Sequence, residues 1–497
     1  MSDQIEIDLR DYNQGRSTIP DEFYNPNLAP LPKSQKTWTW INYTTIWAGM
    51  IHNVPAFMLA GLLTFEFGAP LALFIIAFAY STLLIALYLN GHIGAKWGIP
   101  YPSSIRPMFG LKGARIPVIM RAISALFWFA VESYAGGLVF DATISAFYHS
   151  WQSLSVTFLG MPLHLAISFF VFWVLNVLVL FKGMEEIKNF ELIAGPLVIA
   201  TLGGLLIYAL MQAHGLPLIK GSETPTIPNI ALAISTMAGF WATLVLNIPD
   251  FTRFARSQKD QLIGQAIGLP ILTLLFSFIA IGLTSTMIYL YHIPSSEAIH
   301  YVNPVYIMYL FTGNPVLTLI TGISLVLATI SVNVAANIVS PIYDLISLFP
   351  RKLDWAKSAL SAAIISIFYV PWIWYSSGSS IENVINLIGA GLGSVAGVMI
   401  AHYWILDKTE ISLADLFKPG GKYWYTLGYN IKGIIAMTIG FLVPVLGFIL
   451  PALAFLYSYG WYLSFFVSMV IYLLIMKRPV SMMANKDLLL LSKDFQS

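Results

Sequence analysis

Apolar residues run along this chain in stretches long enough to cross a lipid bilayer, separated by short polar segments. A helix needs about 20 mostly apolar residues to span a hydrocarbon core of roughly 30 Å. Twelve runs meet that requirement, at Trp40–Thr64, Phe67–Asn90, Ile116–Phe147, Met161–Phe181, Ile187–Met211, Asn229–Asp250, Gly264–Tyr291, Asn314–Pro341, Trp355–Tyr375, Val384–Leu406, Ile431–Leu450 and Tyr459–Met476. They predict an all-α integral membrane protein with twelve transmembrane helices: a membrane domain over 38–476, a polar tail over 1–37 and a second tail over 477–497.

The basic residues test that count, because Lys and Arg in short loops favour the cytoplasmic side. With the spans numbered in chain order, Lys and Arg fall on the two tails, in the loops after the even-numbered spans two to ten, or in the first two turns of the span that follows such a loop (Arg121, Lys188, Lys357 and Lys432), and of the 26 only Lys220 lies elsewhere. The alternation predicts a multi-pass protein of the plasma or inner membrane with both ends in the cytoplasm. No short apolar core or small-residue cleavage site near Met1 suggests a removable signal peptide.

Composition removes several function classes. Hydrophobic residues make up 57% and charged residues 10%, against roughly 45–50% and about 25% in soluble proteins. The absence of cysteine excludes disulfides, thiolate zinc sites, iron–sulfur clusters and a cysteine nucleophile. A net charge of +2 without a basic block gives no sign of nucleic-acid binding. No HExxH, Asp-Asp cluster or Walker lysine motif supports a membrane-embedded enzyme, and no resident cofactor is expected. Membrane lipid is one partner; a monomer is compatible with everything in the sequence.

Polar groups and helix breakers near the bilayer midplane carry the remaining information. In the first span, Ala48-Gly49-Met50-Ile51-His52-Asn53-Val54-Pro55 places a proline where it removes a backbone donor, so the helix is expected to break there or to kink with His52 and Asn53 bonded to neighbours. In the third span, Glu132 lies eleven residues beyond Arg121, about 16 Å along a helix. An acid at that depth faces a cavity or a partner rather than lipid. Trp128 stands four residues earlier, on the same face, as a flat ring beside an acceptor. The sixth span carries Ala238-Gly239-Phe240-Trp241 and then Asn247-Ile248-Pro249-Asp250, which predicts a second interruption. Broken helices at matching places in two halves point to a midplane site between inverted repeats. The eighth span contributes Ala328, Ser331, Val332, Asn333 and Asn337 in a small, polar stretch, whereas Gly389, Gly393 and Gly397 in the tenth read as close helix packing.

At these stretches the chain resembles the nucleobase:cation symporter-1 family of hydantoin, allantoin, uracil, cytosine and purine permeases. The resemblance rests on Asn25-Pro26-Asn27-Leu28-Ala29-Pro30, Lys36-Thr37-Trp38, Trp128 to Glu132, Gly239 to Leu244, Leu246 to Arg253, and Ala335-Ala336-Asn337. It implies a 5+5 inverted-repeat (LeuT-type) fold, with repeats over about 38–211 and 229–406 and two additional peripheral helices over about 431–476. It also implies a planar substrate stacked on Trp128, hydrogen-bonded by Glu132 and rimmed by Asn337 and by His52 with its neighbour Asn53. Gly239 would offer backbone, and Phe240 or Trp241 would cover the other ring face. The family's sodium site corresponds to Ala48, Ile51, Ala328, Ser331 and Val332. Val332 carries no oxygen where the hydantoin transporter has a hydroxyl, which weakens that site and favours a proton, through Glu132 or His52, as coupling ion. The implied activity is cation-coupled uptake of a small planar N-heterocycle, uracil or allantoin first, then hydantoin, cytosine or a purine. The alternative is an amino-acid permease of the same architecture, although an anionic Glu132 would oppose a substrate carboxylate.

Overall fold

The computed structural model describes residues 12–13, 19–180, 184–222, 224–310, 313–375 and 378–476, so the expected tail of 477–497 and much of the N-terminal tail lie outside the described residues. Among the described residues, eight helices are long and apolar enough to cross a membrane: Ala69–Trp97, Arg115–Phe147, Leu163–Leu180, Ile187–Ala213, Gln258–Leu290, Pro315–Leu348, Glu382–Leu406 and Ile431–Ile449. Two bent pairs raise the number to ten, and the remaining expected positions, the sixth and the ninth, hold the shorter apolar helices Ile227–Phe240 and Trp355–Ile367. Large apolar side chains such as Phe74, Phe78, Ile85, Ile193 and Leu474 face outward, as a lipid-facing surface requires.

The first span is two helices, Trp40–Ile51 and Val54–Phe67, meeting at 69°. Pro55 sits in the first turn of the second half, where its missing N–H costs nothing. Asn53 caps that turn by accepting from the Ala56 N–H at 2.7 Å, and its amide donates back to the Met50 carbonyl at 3.1 Å. One side chain therefore satisfies a free group on each side of the break. The ninth span is shorter than its apolar run suggests: Val370 adopts φ 47°, and Pro371 starts a separate short turn, Pro371–Trp374. Helical backbone is disfavoured for the residue before a proline.

Within the eighth span, Asn333–Ile338 is wound as a π-helix. The wider turn brings residues four apart almost onto one line, and Asn337 Nδ2 donates to Asn333 Oδ1 at 3.2 Å. The sixth span ends its first helix at Phe240 and resumes as Ala242–Asn247 and Pro249–Thr252. Gly239 lies against the tenth span, where a Cβ on Gly389 would stand 2.8 Å from the Gly239 Cα. Gly393 and Gly397 meet the twelfth span at Trp461, Ser464, Phe465 and Ser468, which is the close packing their spacing predicts.

Two motifs of the resemblance meet each other. Arg253 donates to the carbonyls of Asn27 at 2.8 Å and Ala29 at 2.7 Å, so the end of the sixth span grips the segment ahead of the first. Trp38 continues the contact, its N–H bonded to Phe254 O and its carbonyl to Arg256 N, both at 2.9 Å. Lys36 Nζ donates at 3.1 Å to Ala95 O and Lys96 O at the end of Ala69–Trp97. Burial, with Arg253 nearby, lowers its pKa to about 8.

Candidate functional site

The break in the first span, the interruption at Trp241, the middle of the third span and the π-helical turn of the eighth converge on one point. A small buried cavity there is lined by Asn53, Trp128, Glu132, Phe240, Trp241, Thr243, Val332, Ala336 and Asn337. Glu132 is buried, and its Oε2 has no hydrogen-bond partner among the described residues; the Trp128 indole N–H is also unpartnered. An unpaired carboxyl oxygen and an unpaired donor, both buried in the wall of one cavity, are costly unless a ligand or water completes them. Asn333, one turn from Asn337, donates to Ser133 Oγ at 3.0 Å and fixes that end of the rim.

The cavity's volume is about 10 Å³, roughly what one water needs. Phe240 explains the small size: its ring meets Trp128 edge-on with centroids 4.9 Å apart, on the surface where a planar ligand would lie. Trp241 in turn packs edge-on against Phe240 at 5.1 Å. With Phe240 in this position the cavity has no room for a planar ring on that face of Trp128. A larger cavity, of about 530 Å³, lies alongside and reaches Trp128 between Pro55, Met58, Leu59 and Leu62 of the first span and Tyr306 and Tyr375. Ile299 and Tyr306 at its mouth are exposed.

The expected site residues are thus only partly brought together. Trp128, Glu132, Asn53, Phe240, Trp241 and Asn337 share the cavity wall. His52 does not reach it; the ring is buried in the helix break, both nitrogens without a partner among the described residues. Gly239 does not line it either, because it packs on Gly389 and Ile385. Thr243 is a polar wall residue that the sequence reading did not single out.

The sodium-site positions are divided in the same way. Val332 lines the cavity. Ser331 points the other way, to the first span, where its Oγ bonds the Gly49 carbonyl at 3.0 Å. The same Oγ touches Glu191 Oε2, a carboxylate arriving from the fifth span, Met184–Ala213. A buried acid therefore stands where the resemblance implies only backbone and hydroxyl oxygens. Among the described residues no group of three His, Asp or Glu side chains could hold a metal ion.

Broken helices around a buried, partly unsatisfied polar site define a LeuT-type membrane transporter. The chain belongs to the family described as permease for cytosine/purines, uracil, thiamine, allantoin, whose profile matches residues 30–479. It is 37% identical to the allantoin permease of Bacillus subtilis (strain 168), over 91% of this chain and 93% of that one. It is 30% identical to the purine-uracil permease NCS1 of Arabidopsis thaliana, over 95% and 80%. In structure it is similar to Mhp1, a nucleobase-cation-symport-1 family transporter solved in a closed conformation with bromovinylhydantoin bound. The TM-score is 0.76 at 23% identity, covering 93% of this chain and 98% of that one. The chain is accordingly a permease and not an enzyme.

Proposed function

We propose that this permease imports a small planar N-heterocycle bearing several ring N–H groups, allantoin or uracil before hydantoin, cytosine or a purine, by symport with a cation, and that the cation is a proton rather than sodium. The orientation that fits the basic loops puts the 530 Å³ cavity on the outer side of the membrane. The observation that carries the reading is the unpartnered Glu132 carboxyl beside the Trp128 ring in the buried cavity. A carboxyl oxygen accepts from ring N–H groups, an indole face takes the flat ring, and both are poor partners for a substrate carboxylate. The name of the Bacillus relative supports allantoin, and Val332 supports a proton.

Uptake of labelled allantoin, uracil, hydantoin, cytosine and purines into proteoliposomes tests it, under an inward proton gradient and then an inward sodium gradient. Saturable uptake of at least one, driven by the proton gradient without sodium, is expected; no saturable uptake of any overturns it. Trp128→Ala removes the stacking surface, worth about 1–3 kcal/mol per ring. Its apparent affinity should fall by roughly 5- to 150-fold. Unchanged affinity would take Trp128 out of the site.

A further inference from the structure

Away from the buried site, the lipid-facing belt is not smooth. A groove of about 450 Å³ lies between the second span, the first helix of the sixth, Ile227–Phe240, and the start of the twelfth, Gly460–Met476. Phe78, Ile85 and Phe466 line it and are exposed, so it opens on the same outward surface as the rest of the apolar belt. Ala86, which is buried, and Ala231 also line it. Two side chains that stop at Cβ, set among aromatic rings, make the surface concave.

A tyrosine spans the gap. Tyr462 of the twelfth span meets Thr82 of the second, hydroxyl to hydroxyl, at 2.6 Å. Thr82 Oγ1 donates its single hydrogen to the Ala79 carbonyl at 2.8 Å, so the Tyr462 O–H is the donor between the two hydroxyls. Beside it the Trp461 N–H donates to Ser235 Oγ at 3.0 Å, which ties the twelfth span to the sixth. The three helices are thus joined by specific bonds with the groove left between them.

Those bonds also decide what the groove can hold. No charged residue lines it, and Thr82 and Tyr462 are satisfied by each other. The remaining polar tips belong to Tyr459 and Trp461, at the start of the twelfth helix; the Trp461 indole N–H has no partner among the described residues. Rings of this kind collect where a span meets the lipid headgroups. The groove therefore has hydrocarbon walls with polar tips at one end, which is the polarity of a lipid chain and its ester. A helix of a second copy is a poorer fit: with side chains it is about 10–12 Å across, so this volume would take roughly one turn of it. An apolar void costs stability in proportion to its volume, and a flexible chain is the occupant that can fill this one.

We propose that the groove is a binding site for one acyl chain of a membrane phospholipid, which lies along Ala86 and Ala231 with its ester end toward Tyr459 and Trp461. Ala231 and Ile234 belong to the helix that ends at Phe240, so the chain braces the element that carries one wall of the buried cavity. The site is independent of which heterocycle or coupling ion the permease uses.

The test uses the full chain in nanodiscs containing a phosphatidylcholine with a photoactivatable diazirine in its acyl chain, and cross-linked residues are located by mass spectrometry. Labelling over Thr82–Leu89 and Tyr459–Phe466 should exceed that at Ile193 and Ile207, which face outward on the fifth span, by about fivefold or more. Equal labelling overturns the site. Ala231→Phe fills the groove without touching the Thr82–Tyr462 bond and should bring labelling down to the level of Ile193; Ala86→Leu serves if the first variant fails to fold. Excess labelling that survives in a folded, filled variant overturns the site. So does labelling by a free fatty acid with the same diazirine but not by the phospholipid, or cross-linking of two copies of the chain through Tyr459–Phe466. Stability gives a second readout. Phosphatidylcholine added to delipidated protein in detergent should raise the melting temperature of the parent at least about twice as much as that of the filled variant, and equal gains overturn the proposal.

Discussion

The two sides of Trp128 are built from opposite materials. Toward Ile299 and Tyr306 there is a cavity of about 530 Å³ with largely aliphatic and aromatic walls. Toward Arg121, eleven residues before Glu132 on the same helix, the interior is closed by polar groups. Arg121 and Asp344 form a fully buried ion pair at 2.8 Å, Asp250 accepts from the Tyr101 N–H at 2.7 Å, and Asn247 bonds Ser340. Yet this seal keeps spare capacity, since Arg121 Nε and Nη2, Asp344 Oδ1 and Asp250 Oδ2 have no partner among the described residues. An apolar plug of the same size would expose dry surface to water on opening. A polar one exchanges its bonds for water and uses the spare groups as well, which suits a closure that must be undone repeatedly.

Removing half of the ion pair breaks that comparison most severely. Arg121→Ala leaves Asp344 buried without its cation, a loss of about 3–5 kcal/mol. It should appear as a large drop in melting temperature in detergent. The apolar pair Arg121→Met with Asp344→Leu should melt close to the parent while opening poorly, with transport reduced more than binding. A double variant that melts like the parent and also transports like it would show that the ion pair has no part in opening.

How much of this was visible in the sequence depends on whether a residue's meaning is local. Trp128 and Glu132 were legible because an acid in the middle of an apolar run has few options. The close packing at Gly393 and Gly397 follows from their spacing alone. Asn53 and His52 were named together, but which of them faces the cavity depends on how the chain turns through the 69° break, and no periodicity reports that. Gly239 announced itself as a glycine, while its partner Gly389 lies 150 residues on and is joined to it only by the fold. Glu191 already fell inside the expected fifth span, Ile187–Met211, but only one turn from its start, where an acid is ordinary, so it was not singled out. The helix begins at Met184, which places Glu191 two turns inside it. The signal present was Gly195, one turn further along the same face.

A smaller effect is expected at the anchor beneath the seal. Arg253 reaches two carbonyls of the N-terminal segment at once and lies over the rings of Tyr343 and Phe254, at 5.6 and 5.7 Å. Lysine keeps the charge but loses the fork and the stacking. Arg253→Lys should cost about 1.5–3 kcal/mol, the worth of a hydrogen bond to a charged group. Limited proteolysis at the N-terminal segment should quicken, while labelling of a cysteine placed at Asn303 on the vestibule side stays unchanged. The native chain has no cysteine to confuse that measurement. Faster labelling at Asn303 would mean that the two ends are not independent and that the anchor also governs the open side.

The smallest effect is expected at Asn53, where the two ends meet. Pro55, Met58, Leu59 and Leu62, beyond the break, line the vestibule. Tyr43, before it, bonds Phe251 of the sealed side. Asn53→Ala removes an N-cap and one acceptor's partner, a loss of about 1 kcal/mol. Alanine also favours helix more than asparagine, which would tend to straighten the span. Pro55 opposes that, because its ring would clash with the Ile51 carbonyl in a continuous helix. The break should therefore persist with a slightly lower melting temperature, and a distance measured between spin labels on the two halves should not lengthen. If substrate affinity falls by more than the stability does, Asn53 touches the ligand as well as capping the helix. If the distance grows, the cap and not the proline holds the two halves apart.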